Sequence, residues 1–279
     1  MTEAPAPPFE PRLALASLSG RSDAEWARSG SEFAGAAFLG GIALDEPTRE
    51  AARRMVDRDR EEFLPADPLS FVDDQLAALA DAPLRPGFNV RASEPEPIRA
   101  AAEVCADRGA MLEVNAHCRQ DEMCAAGAGE SLLGEPARLA DYVAAAAATG
   151  ATVSVKVRTE LASVDLPAVA ARLDDAGVDI VHVDAMDSEE VVADVVEATD
   201  VFVVANNGVR DRETVREYLA HGADAVSVGR PSDDPRALRR VRAAVDEWFD
   251  GDAGDESSGD AGDGSHGRAV PAGSGGPKS

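Results

Sequence analysis

The stretch Thr152-Val153-Ser154-Val155-Lys156-Val157-Arg158 decides how this chain folds. Side chains alternate along a strand, so the three valines share one face and Thr152, Ser154, Lys156 and Arg158 share the other. A valine face packs on helices. The polar face must then line the inside of a closed barrel, with Lys156 near its C-terminal mouth. The same split recurs elsewhere. Val181 and Val183 face out while His182 and Asp184 face in; Val114 faces out while Glu113 and Asn115 face in. Asn89 and Asn206 also point inward near the ends of their strands. Polar side chains on so many inner faces are costly in a nearly dry interior unless a ligand uses them.

Working outward, short apolar runs at 13–17, 36–40, 88–91, 111–115, 152–158, 180–184, 201–206 and 225–229 read as strands. Helical patterns fall between them at 46–63, 96–108, 136–148, 165–176, 188–198, 211–221 and 235–249, with a further short helix near 68–80. Eight strands alternating with helices predict an α/β protein, a (β/α)8 TIM barrel. An open doubly wound sheet is the alternative, but no GxGxxG turn follows the first strand. The reading divides the chain into a flexible N-terminus (1–12), one catalytic barrel (13–249) and a disordered acidic tail (250–279). That tail is rich in Gly, Ser and Asp and has no aromatic residue to bury.

The 279 residues suit one barrel, which typically needs about 250. Aromatic residues make up only 4%, so Ala, Val and Leu must build the core. Against 52 Asp plus Glu stand 27 Lys plus Arg, a net charge of −25, and the only lysines are Lys156 and Lys278. Concentrated salt screens the self-repulsion of such a surface, with a Debye length of about 3 Å at 1 M. The charge is therefore read as halophilic adaptation, and no basic face is evident from the sequence. Cys105, Cys118 and Cys124 form no CxxC pair, which points to reduced thiols in a cytoplasm. His117, Cys118 and Cys124 lack a fourth ligand at sensible spacing, so no metal is expected. Neither a signal peptide nor an apolar run of spanning length is present, and no membrane association is expected.

Two loops after the last two strands, Ala205-Asn206-Asn207-Gly208-Val209 and Val228-Gly229-Arg230-Pro231, have the small residues that let backbone N–H groups approach an anion. A helix starting near Asp211 adds its N-terminal dipole, and barrels often bind phosphate there. Lys156 is the lysine that the folded part retains, at a strand position where a compact cation is needed.

The segment Asn115-Ala-His-Cys118, followed by Gly127-Ala-Gly129-Glu-Ser-Leu132-Leu133 and Pro136, resembles the tRNA-dihydrouridine synthases. In that family a strand ends in Asn-x-Gly-Cys-Pro and leads through a Gly-rich loop to Leu-Leu-x-x-Pro. Val155-Lys156-Val157-Arg158 resembles the family's Val-Lys-x-Arg strand. His182 falls on its strand-six His, Asn206 on its Ala-Asn-Gly and Gly229-Arg230 on its Gly-Arg. Asn89 stands where a flavin-contacting Gln is usual, and Ala16 to Asp23 resembles the first flavin loop. The similarity runs in order over residues 13–245, on a plan shared with dihydroorotate dehydrogenase-like barrels.

The resemblance implies an FMN-dependent oxidoreductase acting on CH–CH bonds. FMN would be held by Asn89, Lys156, His182, Asn206, Asn207, Gly208, Gly229 and Arg230, with Lys156 at the pyrimidine edge of the ring. NADH or NADPH would be the reductant and uridine in tRNA the substrate. Cys118 would protonate C5 as general acid; a free thiol, with a pKa of about 8.5, carries its proton at neutral pH. Asn115 and Arg158 would orient the base and its phosphate. Three departures stand out: His117 replaces Gly, Arg119 replaces Pro, and the Gly-Arg-Thr usual after His182 is replaced by Val-Asp-Ala. A C-terminal helical tRNA-gripping domain is not expected in this chain. Other readings are a flavin dehydrogenase of a small free pyrimidine, a flavin-free aldolase-like barrel with Lys156 as Schiff-base lysine, and a degenerate barrel kept as a binding module.

Overall fold

The computed structural model describes residues 6–159 and 161–255. Its strands are β1 (Leu13–Leu15), β2 (Ala36–Ala43), β3 (Arg85–Arg91), β4 (Met111–Asn115), β5 (Thr152–Arg158), β6 (Ile180–Asp184), β7 (Phe202–Asn206) and β8 (Ala225–Val228). They pair in parallel and in order, and β8 closes on β1 through Leu13↔Val226 and Leu15↔Val228. The helices are α1 (Ala24–Gly30), α2 (Glu46–Val56), α3 (Pro68–Ala77), α4 (Pro95–Asp107), α5 (Asp121–Ala125), α6 (Pro136–Ala147), α7 (Leu166–Asp175), α8 (Val191–Ala198), α9 (Arg212–Ala220) and α10 (Pro235–Asp255). The protein is a TIM barrel.

The alternation read from the sequence sets the layers. Val153, Val155, Val157, Val181 and Val183 are fully buried in the large cluster between strands and helices. Inside the barrel, Ala14, Ala36, Phe38, Met111, Ile180, Val204 and Ala225 fill the lower end. Proline at the first turn of α3, α4, α6 and α7 suits the positions whose N–H groups have no helical partner. An Asp side chain caps α1, α2, α3, α7 and α9, accepting from backbone N–H groups of the first turn.

Two expectations need correction. Residues 6–12, expected in a flexible N-terminus, are packed: Phe9 is buried against the lower layer and meets Phe202 edge-on at 5.4 Å. Arg12 stacks on the Phe249 ring at 4.5 Å and the Pro8 carbonyl accepts from Arg85 at 3.1 Å, contacts that a short Pro-rich segment does not announce. The helix expected over 46–63 stops at Val56, because Asp59 takes a left-handed backbone (φ +60°). Residues 57–66 instead form a strap across the mouth, with Phe63 bridging to Ile42 like an extra strand. Helix α1 is seven residues long, too short for its periodicity to have announced it. The tail expected over 250–279 lies outside the described residues from 256 onward.

Candidate active site

Above the apolar floor sits a bonded polar layer. Glu113 is fully buried and accepts from Asn89 Nδ2 (2.7 Å) and Ser154 Oγ (3.2 Å), with His182 Nδ1 at 2.7 Å. His182 Nε2 meets Ser227 Oγ at 2.7 Å, and Asn206 Nδ2 donates to the same oxygen at 2.7 Å. Burial alone would raise the Glu113 carboxyl, but His182, Lys156 and Asn89 outweigh it and hold the carboxyl low, so Glu113 is an anion. Burial, and then the Lys156 ammonium, push His182 below its ordinary value, so the ring is neutral. The proton directions then close. His182 Nδ1–H donates to Glu113, Ser227 donates to Nε2, and Ser227 accepts from Asn206.

Lys156 rises from this layer, 2% exposed, into a pocket of about 480 Å³ at the C-terminal mouth. No hydrogen-bond acceptor takes its ammonium among the described residues. Across the pocket lie Asn206, Asn207, Gly208, Gly229 and Arg230, with Ala16, Ser17 and Leu18 on the β1 side. Asn207 (φ +87°) and Gly208 (φ +68°) turn the chain left-handed, and Tyr218 Oη pins the turn by donating to the Asn207 carbonyl at 2.8 Å. The backbone N–H groups of Asn207, Gly208, Gly229 and Arg230 find no acceptor among the described residues. Unpaired N–H groups clustered beside an arginine make an anion cradle.

A second hollow of about 670 Å³ adjoins the first and shares Ser17, Leu18, His117, Asp184, Asn207 and Arg230 with it. Cys118 and Arg158 line this outer hollow. Asn115 Oδ1 accepts from the N–H groups of His117 (3.3 Å) and Cys118 (3.0 Å), while Asn115 Nδ2 donates to Asn89 Oδ1 (2.9 Å). The Cys118 loop is therefore tied to the polar layer beneath. Gly129 (φ +64°) presses the Gly-rich loop onto it: a Cβ there would lie 2.3 Å from the Cys118 carbonyl oxygen. Arg158 pairs with Glu130 of that loop at 3.0 Å.

Of the residues expected at the site, Lys156, Asn206, Asn207, Gly208, Gly229 and Arg230 share one pocket, and Asn115, Cys118 and Arg158 share its neighbour. Asn89 and His182 line neither; they lie beneath the floor and act through Glu113, Asn115 and Ser227. Cys105 is core on α4, its thiol pushed up to about 12 by burial. Among the described residues no group of three or more His, Cys, Asp or Glu is placed to hold a metal, and no helix is long and apolar enough to cross a membrane.

Sequence reading missed two features. The first is the arginine content of the outer hollow: Arg21, Arg60, Arg119, Arg158 and Arg230 line it beside Asp59, Glu61 and Asp184, with Arg21 and Arg158 already ion-paired. The side chains of Arg60, Arg119 and Arg230 have no hydrogen-bond or ion-pair partner among the described residues. The second is a fully buried ion pair beside it, Arg91 Nη2 to Glu62 Oε2 at 2.6 Å, which anchors the strap to the end of β3.

Two neutral histidines, the buried His182 and the half-buried His117, make stability fall with acid. Burial and the Lys156 charge also push His117 well below its ordinary value. A histidine depressed in the folded state contributes stability that is complete above about pH 6.5 and is lost as pH falls below that value, because only the unfolded chain then takes the proton. The expected slope approaches about 1.4 kcal/mol per pH unit for the fully buried His182 and is smaller for His117, whose side chain is partly solvated. Urea unfolding at pH 7.5 and 5.5 measures it, and His182→Asn should make the decline shallower; equal stability at both pH values would contradict the assignment.

Residues 78–250 match the family model described as dihydrouridine synthase (Dus). The chain is 25% identical over 235 residues to the uncharacterized protein MJ0144 of Methanocaldococcus jannaschii, covering 80% of this chain and 89% of that one. Among solved structures it resembles a dihydroorotate dehydrogenase (DHODH) from Eimeria tenella in complex with ferulenol (TM-score 0.62, 15% identity, 87% of this chain and 82% of that). It also resembles morphinone reductase in complex with tetrahydroNAD (TM-score 0.58, 15% identity, 82% and 86%). At these identities the two structures speak for the shared barrel alone.

Proposed function

From a chain that belongs to the dihydrouridine synthase family, and is thereby an FMN-dependent oxidoreductase acting on CH–CH bonds, we propose an enzyme that reduces the C5–C6 bond of uridine in tRNA. The observation that carries the cofactor part is the presence, in one pocket, of the unpaired Lys156 ammonium and the unpaired N–H groups at Asn207, Gly208, Gly229 and Arg230. A flavin mononucleotide needs both: a cation at the ring's pyrimidine edge and an anion cradle for its phosphate. Asn206 is held from below by Ser227 and keeps the cradle strand in place. When bound, FMN supplies the hydride, with NADH or NADPH as the source.

The residues of the chain do the rest. Lys156 stabilises negative charge on the ring and is itself balanced by Glu113. Cys118 lines the hollow where a base stacked on the ring would lie, and it donates the proton to C5. Asn115 orders the Cys118 loop, and Arg158, steadied by Glu130, orients the base. Arg60, Arg119 and Arg230, whose side chains have no partner among the described residues, suit a polyanion, because phosphate contacts position a nucleic acid. In a chain of net charge −25, arginines gathered at one mouth favour a phosphate-bearing substrate over a free pyrimidine.

Absorption from 300 to 550 nm of the protein purified in high salt tests the cofactor. Two flavin bands, with about one FMN released per chain on denaturation, are expected. A colourless protein that also fails to take up added FMN would overturn the reading and return attention to Lys156 as a Schiff-base lysine.

A further inference from the structure

His117 lines both hollows and so stands on the wall between them. Its Nε2 lies 3.4 Å from Asp184 Oδ2, and Asp184 Oδ1 accepts from Asn207 Nδ2 at 2.8 Å. Together these side chains form an arc over the mouth from the end of β4, past β6, to β7. A carboxylate only accepts, so the tautomer that suits an Nε2 facing Asp184 across 3.4 Å carries its proton there and a bare lone pair on Nδ1. That Nδ1 is buried and has no hydrogen-bond partner among the described residues. The remaining polar side chains of the arc are engaged; this acceptor is idle. Burial and Lys156 keep the ring neutral, so the lone pair is available.

We propose that His117 is a specificity residue that reads the substrate ring, its Nδ1 accepting from the N–H of a cyclic imide such as a uracil. The assignment rests on the pyrimidine reading of the site given above. The side chain is 28% exposed, so its edge already meets the hollows. A small turn of the ring about its Asp184 contact brings Nδ1 to a base lying beside Cys118. The donor on the imide then fixes which edge of the base enters, and so which carbon faces the thiol. A site built around a hydrogen bond to a ring N–H discriminates against a ring that lacks it, because the buried acceptor is then left unpaired.

The test uses the FMN-loaded protein and the perturbation of its oxidised flavin absorption by two probes, uridine 5′-monophosphate and its N3-methyl derivative. Wild type is expected to bind the unmethylated probe at least about tenfold more tightly. His117→Gln keeps a donor toward Asp184 but places no acceptor at the Nδ1 position, and should bind the two probes alike. His117→Asn keeps an acceptor there and should recover part of the preference. An undiminished preference in His117→Gln would overturn the assignment while leaving the pyrimidine reading intact. Failure of both probes to perturb the flavin of the wild type would overturn the pyrimidine reading and the assignment with it.

Discussion

Replacing Lys156 by methionine is expected to weaken FMN binding by about ten- to a hundredfold, the worth of one hydrogen bond to a charged group. Ultrafiltration of the loaded protein measures it directly, as flavin in the filtrate. Methionine keeps most of the side-chain volume, so packing around the 2%-exposed stem changes little. The charge balance changes more. Glu113 loses a cation that helps hold it ionised, and His182 and His117 lose a charge that helps hold them neutral. The variant should therefore also lose less stability between pH 7.5 and 5.5 than the wild type. Unchanged flavin retention would show that Lys156 serves the polar layer rather than the cofactor.

Cys118→Ala is expected to lower the rate of substrate reduction by about a hundred- to ten-thousandfold, the usual weight of a general acid, while flavin content and its reduction by NADPH stay near wild type. The separation follows from the geometry. Cys118 lines the outer hollow and takes no part in the pocket that holds Lys156. Stopped-flow traces of pre-reduced enzyme mixed with substrate isolate the affected step. Equal slowing of both half-reactions would instead mean that the Cys118 loop, clamped by Asn115 and Gly129, shapes the cofactor pocket as well.

Alternation along β5 and β6 was enough to send Lys156, His182 and Asp184 inward, because a two-residue period leaves valine no other face. Depth along the barrel axis was not legible. Asn89 and Asn206 each lie near a strand end, yet Asn89 bonds Glu113 under the floor while Asn206 reaches the pocket wall. The stagger of neighbouring strands sets that difference, and it appears only once the register, such as Asn89↔Glu113, is known. Loop residues were harder still. Arg21, Arg60, Arg119 and Arg230 come from four connections far apart in sequence, and closure of the barrel makes them neighbours. Residues 57–63 of the strap read as helix in the sequence because Arg58, Arg60, Glu61 and Glu62 are good helix formers, and the left-handed Asp59 overrides them.

Mass analysis of nucleosides from uridine-containing tRNA, incubated with the FMN-loaded protein and NADPH in high salt, tests the central claim most directly. The account predicts dihydrouridine, seen as a gain of about 2 Da on a fraction of the uridines, growing with time and absent with Cys118→Ala. No dihydrouridine in tRNA, alongside turnover of a free pyrimidine by the same preparation, would contradict it and make the enzyme a dehydrogenase of small pyrimidines.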